Sequence, residues 1–385
     1  MTAKRKSTDT KIRKQKTPEV EQLANCLTVS CRAATKADHD LPWFDFTYAN
    51  NILTCPTYGI ATYHYHKVLD GDARAMALEA GGAAHEAFAA LRVWQLRRQQ
   101  KLVKHAQVAA VHLFGPDRCK KMDKAASKHK AGSLGEATAY TLEALYTCGF
   151  EDDPSDTRRT FDNIAEGVER YVGWYLDWCP RYPVWVADVK RADAPVGIEL
   201  AFDIVVEYKH GNECVGRFRF AGVIDGIHTY KKKLLPIENK TAYRINEAWS
   251  MLFQTNHQPT GYCIPLSIIM GQPCDEVMIV GMQLPLPKEA LGLHREIYRR
   301  PVASHREFFS WLFDAYSKWL MYKDNLLDAP MYTHSCGRYN RPCSLIPFCS
   351  QRLHDRDAAA QMFRDMDVKP PDGGFYVRIS KRVAA

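Results

Sequence analysis

Hydrophobic and polar positions change period several times along the chain. Residues 72–114 include ARAMALEAGGAAHEAFAALRVWQLRRQQKLVKH, rich in Ala, Leu, Glu, Gln and Arg, and predict one or two helices. Gly81 and Gly82 inside this run cost helix stability, which predicts a boundary or a close approach of another backbone. Further helices are predicted over 135–147 and 159–178. The period then shortens. Residues 183–189 alternate, 196–206 and 216–230 are rich in β-branched and aromatic residues, and 234–238 form a short apolar run, which together predict three or four neighbouring strands. A helical pattern over 241–256 follows. A strand pattern over 262–280, interrupted at Gly271-Gln272-Pro273, and a helix over 305–322 complete the reading. This order predicts one α/β core with helical additions. Residues 1–42 are polar and charged without periodicity and read as a basic, flexible tail, with structure beginning near Trp43. The expected organisation is therefore a tail over 1–42, a main domain over 43–350 with a helical, basic insertion at about 97–180, and an extension over 351–385.

The chain has 385 residues, 46% of them hydrophobic and 25% charged, which excludes a wholly disordered chain. Its formal charge of +8 permits an acidic partner without identifying one. No stretch approaches the ~20 apolar residues needed to cross a bilayer. The opening MTAKRKSTDTKIRKQK has no apolar segment behind it, so neither a secretory signal nor a membrane partner is expected, and the location reads as cytoplasmic. Residues 97–130 carry ten Lys and Arg with almost no acid. That is either a solvated helical face or a surface for nucleic-acid phosphates. The chain lacks a GxxxxGK[ST] phosphate loop, so no motor of its own is expected. Twelve cysteines in a large chain without an export signal read as reduced thiols, most of them buried structural residues.

The most informative stretch is GRFRFAGVIDGIHTYKKKLLPIENK. Asp225 ends an apolar run before Gly226, and Glu238 stands two residues before Lys240. On a strand, residues i and i+2 share a face, so Glu238 and Lys240 project together, and a hairpin would bring Asp225 beside them. Like charges held close raise each other's proton affinity, a conflict that a divalent ion removes. Such an ion polarises a phosphoryl oxygen and acidifies water, with Lys240 placed to orient that water or to meet growing phosphate charge. A plain salt bridge on a solvated hairpin is the competing reading of the same three residues.

The motifs resemble the PD-(D/E)xK nuclease superfamily, in its RecB-like and Cas4-like branch. Asp225 in GVID is similar to the family's GxxD position, and Glu238-Asn239-Lys240 to its ExK. Glu199 in GIELAF resembles the branch's upstream glutamate, His85 in GGAAHEAF its helix-borne histidine, and Gln258 and Tyr262 in QPTGY its QxxxY box. The likeness spans about residues 47–349, with 113 residues between His85 and Glu199. It implies a restriction-endonuclease-like α/β fold, a mixed central sheet flanked by helices. It further implies Mg²⁺ or Mn²⁺ held by His85, Asp225, Glu238 and the carbonyl of Ile237. Glu199 would act through water or from behind the ligands, and Gln258 and Tyr262 beside the nucleic acid. His85-Glu86 leaves open which of the two side chains matters.

Near the C-terminus, CGRYNRPCSLIPFC places Cys336, Cys343 and Cys349 in a segment rich in Gly, Pro, Asn and Arg. The same branch has members with one cysteine before the core and three after it, holding a [4Fe-4S] cluster. Cys55 in LTCPTYGIATY, after FTYANNIL, resembles the first half-site, so the resemblance implies an iron–sulfur staple closing 281 residues of chain. Four thiolates suit zinc equally, and Cys26 and Cys31 are weaker rivals for a ligand role. The implied function is a metal-dependent DNA exonuclease acting at free ends or single-stranded regions in recombination, repair or viral DNA processing, in a bacterial or phage setting and with a helicase or recombination partner. An endonuclease and a catalytically quiet DNA-binding subunit are the alternatives.

Overall fold

The structure is a computed structural model and describes residues 21–23, 27–68, 76–287, 291–338 and 341–368. Cys26 and residues 1–20 lie outside them. Six strands build the main sheet: β1 (Leu27–Ala33), β2 (Ile198–His210), β3 (Glu213–Tyr230), β4 (Lys233–Ala242), β5 (Glu276–Gln283) and β6 (Leu293–Arg299). They lie in the order β1-β2-β3-β4-β5-β6, and every neighbour is antiparallel except the parallel pair β4–β5. Glu21–Gln22 adds to the free edge of β1, and Trp43–Phe44 runs parallel beside β3. The helices are α1 (Phe46–Thr54), α2 (Met76–Arg97), α3 (Val103–Ala126), α4 (Leu134–Tyr146), α5 (Phe161–Trp178), α6 (Glu247–Thr255), α7 (His257–Met270), α8 (Val302–Tyr322), α9 (Ile346–His354) and α10 (Arg356–Asp365).

The sheet is covered on both faces, as its composition requires. Met278, Val280 and Met282 pack with Ile237 against α2–α5, while the alternate residues Val277 and Ile279 pack with Phe218 and Phe220 against α1, α7 and α8. The period-2 geometry of β5 thus feeds two cores. The result is an α/β fold with a mixed central sheet flanked by helices. The β3–β4 hairpin turns through Lys231 and Lys232, both with positive φ (49° and 67°), the twist a two-residue hairpin favours. Residues 103–126, 134–146 and 161–178 are helical. Helix α3 kinks at Gly115-Pro116, where Gly115 leaves helical geometry at φ 77°, ψ 160°. Among the described residues no helix is long and apolar enough to cross a membrane.

Several boundaries differ from the sequence reading, and the strand expected over 183–189 is present only as two isolated bridges, Val184↔His228 and Val186↔Val196. Residues 27–33 are not tail: Leu27, Val29 and Cys31 are buried, and β1 pairs with β2 from Leu27↔His210 to Ala33↔Ile204. The interleaved Thr28, Ser30 and Arg32 hid that alternation. Residues 257–270 are helix, not strand. This run is buried nearly all round, so periodicity carried no signal, while Asn256 accepts from Gln258 N at 2.8 Å and Gly271 closes the helix at φ 61°. Gly81 is no boundary, for α2 runs through it, and a Cβ there would stand 3.4 Å from Thr241 Oγ1 of β4. A division at residue 350 falls inside α9. The chain continues as α10, whose Ala359 is buried, to a short pairing of Asp367–Val368 with Lys67–Val68.

Candidate functional site

Register fixes the heart of the site. Ile198 and Leu200 pair with Gly226 and Ile224, which sets Glu199 opposite Asp225, and Gly226 pairs with Ile237, which sets Asp225 opposite Glu238. Three carboxylates therefore stand in one row across β2, β3 and β4. Glu199 is held at φ 48°, a left-handed backbone rarely adopted by a non-glycine residue and costing on the order of 1–3 kcal/mol. From α2, His85 reaches the same row, with Nδ1 3.5 Å from Asp225 Oδ1 and Nε2 donating to the Asn239 carbonyl at 3.2 Å. One ligand atom each of His85, Glu199 and Asp225 lies within 4.8 Å of the others, the one His/Cys/Asp/Glu group of three or more this tight among the described residues.

A second chain of contacts leads from β4 to α7. Glu238 is ion-paired with Lys240 on the same face of the strand. Lys240 Nζ donates to Gln258 Oε1 at 3.0 Å, and Gln258 Nε2 donates to the Tyr262 hydroxyl at 3.0 Å, one helical turn on. Glu238 is 1% exposed, and its Oε2 is buried without a partner of hydrogen-bond geometry, although the Tyr262 hydroxyl faces the carboxylate. Asp225 Oδ2 accepts the backbone N–H of Asn239 at 2.7 Å.

The electrostatics follow from burial and this crowding. Burial works against a charged His85, but the carboxylate of Asp225, with Glu199 and Glu238 behind it, raises the imidazole to about 9. Burial also pushes Asp225 upward, yet His85, the Asn239 N–H and Lys240 outweigh it and hold the acid below its usual range. Glu238 ends above its usual range, because burial and Asp225 together outweigh Lys240 and Tyr262. The Tyr262 hydroxyl is driven well up by burial and by the two acids.

His85, Glu199, Asp225, Glu238, Lys240, Gln258 and Tyr262 thus fall in one region. Within it the placements differ from those expected. Glu199 stands among the three converging ligand atoms, closer than the resemblance implies, while Glu238 faces Lys240. Glu86 turns away to Arg118 of α3 at 3.1 Å, so His85 is the member of that pair aimed at the site. The carbonyl presented to His85 is that of Asn239. Ile237 sits fully buried, paired between Gly226 and Met278. Sequence reasoning missed Arg92, 1% exposed, whose guanidinium donates to the Asp225 carbonyl at 3.2 Å and to Asn239 Oδ1 at 3.1 Å. The only signal available was its place two helical turns after His85.

The segments that carry the candidate cysteines adjoin one another, residues 54–57 against 329–336, without gathering the four sulfurs into one tight group. Cys55 follows α1 in extended conformation and precedes a short turn, Pro56–Gly59. Thr57 Oγ1 donates to the Ala329 carbonyl at 3.0 Å, and Ser335 Oγ to the Thr54 carbonyl at 2.8 Å, so the segments bearing Cys55 and Cys336 are tied directly. Cys343 N donates to the Cys336 carbonyl at 2.7 Å, and Cys349 lies on α9. Burial pushes the Cys349 thiol up to about 12, with Cys55, Cys343 and Cys336 adding to the rise and Arg352 opposing it. Their sulfurs do not form a group as tight as the His85 group. Cys31 is buried in β1, on the sheet.

A scan against protein-family models finds no match, and neither does a search of curated proteins. Among solved structures, the chain is similar to one titled "Crystal structure of SSO0001", at 14% identity and a TM-score of 0.28, over 61% of this chain and 83% of that one.

Proposed function

We propose that this protein is a metal-dependent DNA nuclease that hydrolyses phosphodiester bonds from DNA ends. The observation that carries the reading is the convergence of His85, Glu199 and Asp225 beside a buried Glu238–Lys240–Gln258–Tyr262 chain. The donor set fits a divalent ion. Glu199 and Asp225 converge with the His85 imidazole, Glu238 stands opposite Asp225 in the register, and Glu238 Oε2 is buried with no partner of hydrogen-bond geometry. His85, Glu199, Asp225 and Glu238 would hold Mg²⁺ or Mn²⁺, with the imidazole favouring Mn²⁺ somewhat. Such an ion supplies Lewis acidity toward a phosphoryl oxygen and lowers the pKa of water.

The chain's own residues do the rest. Lys240 is held at a fixed point by Glu238 on one side and Gln258 on the other, where its ammonium orients a water for in-line attack and meets the charge that grows on phosphate. Tyr262, its hydroxyl kept protonated by burial and neighbouring acids, fixes Gln258 by accepting its amide N–H. Lys101, Lys104, Lys120, Lys121, Lys124 and Lys128 are exposed on the insertion and would track the backbone of the nucleic acid. Cys55, Cys336, Cys343 and Cys349 would carry a [4Fe-4S] cluster as a structural brace between the segments near residue 55 and residues 336–349, and a helicase or recombination partner would supply a motor.

The test compares end-labelled linear DNA with covalently closed circular DNA, each with Mg²⁺, Mn²⁺ or EDTA. Metal-dependent release of mononucleotides or short oligonucleotides from the linear substrate alone is expected. Cutting of circles would replace exonuclease with endonuclease, and undiminished cutting by Lys240→Ala or Asp225→Ala would remove the site assignment.

A further inference from the structure

The acids of the row need fixed directions as well as proximity, and the buried Arg92 supplies them. Its side chain leaves α2 two turns after His85 and enters the sheet where Gly226 leaves space; a Cβ on Gly226 would stand 2.7 Å from Arg92 Nε. There the guanidinium bridges β3 and β4, donating through one nitrogen to the Asp225 carbonyl and through the other to Asn239 Oδ1. Asn239 in turn sets the carboxylate. Its backbone N–H donates to Asp225 Oδ2 at 2.7 Å, and its side-chain amide approaches the same oxygen at 3.4 Å. With Oδ2 engaged, Oδ1 is the oxygen turned toward His85. Asn239 also presents its carbonyl to His85 Nε2. One arginine therefore locks the helix carrying the imidazole to the two strands carrying the acids.

We propose that Arg92, acting through Asn239, is a positioning residue that presets Asp225 and His85 for the divalent ion without touching ion or substrate. The inference rests on the nuclease reading, because it assigns a task within that metal centre. Partners that orient metal ligands typically change metal affinity by about 10–100-fold when removed. A planar guanidinium can bridge two acceptors at once, whereas an ammonium is a point donor that cannot keep both bonds. Lysine at this position keeps charge and most of the bulk and loses the bridge, so it separates positioning from charge balance.

The experiment titrates Mn²⁺ into the full chain without DNA, reading free Mn²⁺ by electron paramagnetic resonance, for wild type, Arg92→Lys, Arg92→Met and Asn239→Ala. Circular dichroism establishes that each variant is folded. Mn²⁺ affinity about tenfold weaker is expected in both Arg92 variants, and a smaller loss in Asn239→Ala, which retains the backbone N–H bond to Asp225. On DNA, kcat should fall while KM changes little, since no contact with substrate is removed. Wild-type affinity in the folded variants overturns the inference, and so does full rescue by lysine. Should the Arg92 variants fail to fold, Asn239→Ala decides: weaker binding supports the bridge and unchanged binding overturns it. Absence of saturable Mn²⁺ binding in the wild type would remove the nuclease reading itself, and this inference with it.

Discussion

Glu238→Gln should separate the folding cost of the site from its function. Glu238 is buried, and burial together with Asp225 raises its proton affinity despite Lys240. At neutral pH its ionised form therefore opposes folding, because the unfolded chain holds the same carboxylate at lower cost. The amide keeps the volume, still accepts from Lys240 and removes one charge of the row. Without metal the variant should melt at or above the wild-type temperature. With metal the order should reverse. A ligand at a hundred times its Kd stabilises the native state by about 2.7 kcal/mol. An unfolding entropy of about 2.1 cal/mol/K per residue, applied to 385 residues, converts this to a rise of about 3 °C in Tm. Circular-dichroism melts with EDTA and with saturating MnCl2 should show that rise in the wild type and less than about 1 °C in Glu238→Gln. A full metal-induced rise in the variant would refute the assignment of Glu238 to the ion. A metal-free variant melting well below wild type would refute the claim that the buried acid is held against its own preference.

Three further outcomes are expected. Burial, helped by Arg92, lowers His228 to about 3. The unfolded imidazole takes up a proton below about 6.5 and the folded one does not, so stability is full above that pH and is lost as pH falls toward 3, by up to about 1.4 kcal/mol per unit. Urea midpoints between pH 7 and 4 should show that slope, and His228→Gln should flatten it. Gly59→Ala would place a Cβ 2.5 Å from the backbone nitrogen of Ile52, so urea denaturation should show a loss of about 1–3 kcal/mol, and a neutral result would show that α1 can shift away. Cys336→Ser should abolish visible charge-transfer absorption after anaerobic purification and lower the melting temperature; a colourless wild type containing zinc would replace iron–sulfur with zinc.

The hairpin, the ExK strand and the helices over 134–146 and 161–178 were legible because their periodicity is undisturbed, whereas Gly115-Pro116 hid the second half of α3. The β1 edge was not, because Thr28, Ser30 and Arg32 made its alternation look like tail. Helix α7 was not, because burial nearly all round erased the difference between periods of 2 and 3.6. At the site, Asp225, Glu238 and Lys240 could be placed by strand parity alone. The closeness of Glu199 to His85 required two facts that no local pattern contains: its register opposite Asp225 and its left-handed backbone at φ 48°. Arg92 was hidden for a related reason. A lone arginine among helical alanines reads as surface, and only the gap left by Gly226 makes it an interior bridge.

On the proposed reading, the charges of the row also order the events of binding. Glu199, Asp225 and Glu238 are balanced by the His85 imidazolium, the Lys240 ammonium and the buried Arg92 guanidinium, so the row without metal offers a phosphodiester no net attraction. A divalent ion turns that balance into two net positive charges, or one if the imidazole gives up its proton to become a ligand. The exposed lysines of the insertion carry no such condition, since their attraction to a nucleic-acid backbone depends on salt and not on the ion. Capture on the lysines can then precede entry to the site, and entry waits for the metal. The two contributions are separable by their different sensitivities: chelation removes the second and leaves the first, whereas raised salt weakens capture while the buried row, screened from solvent ions, keeps its hold on the metal.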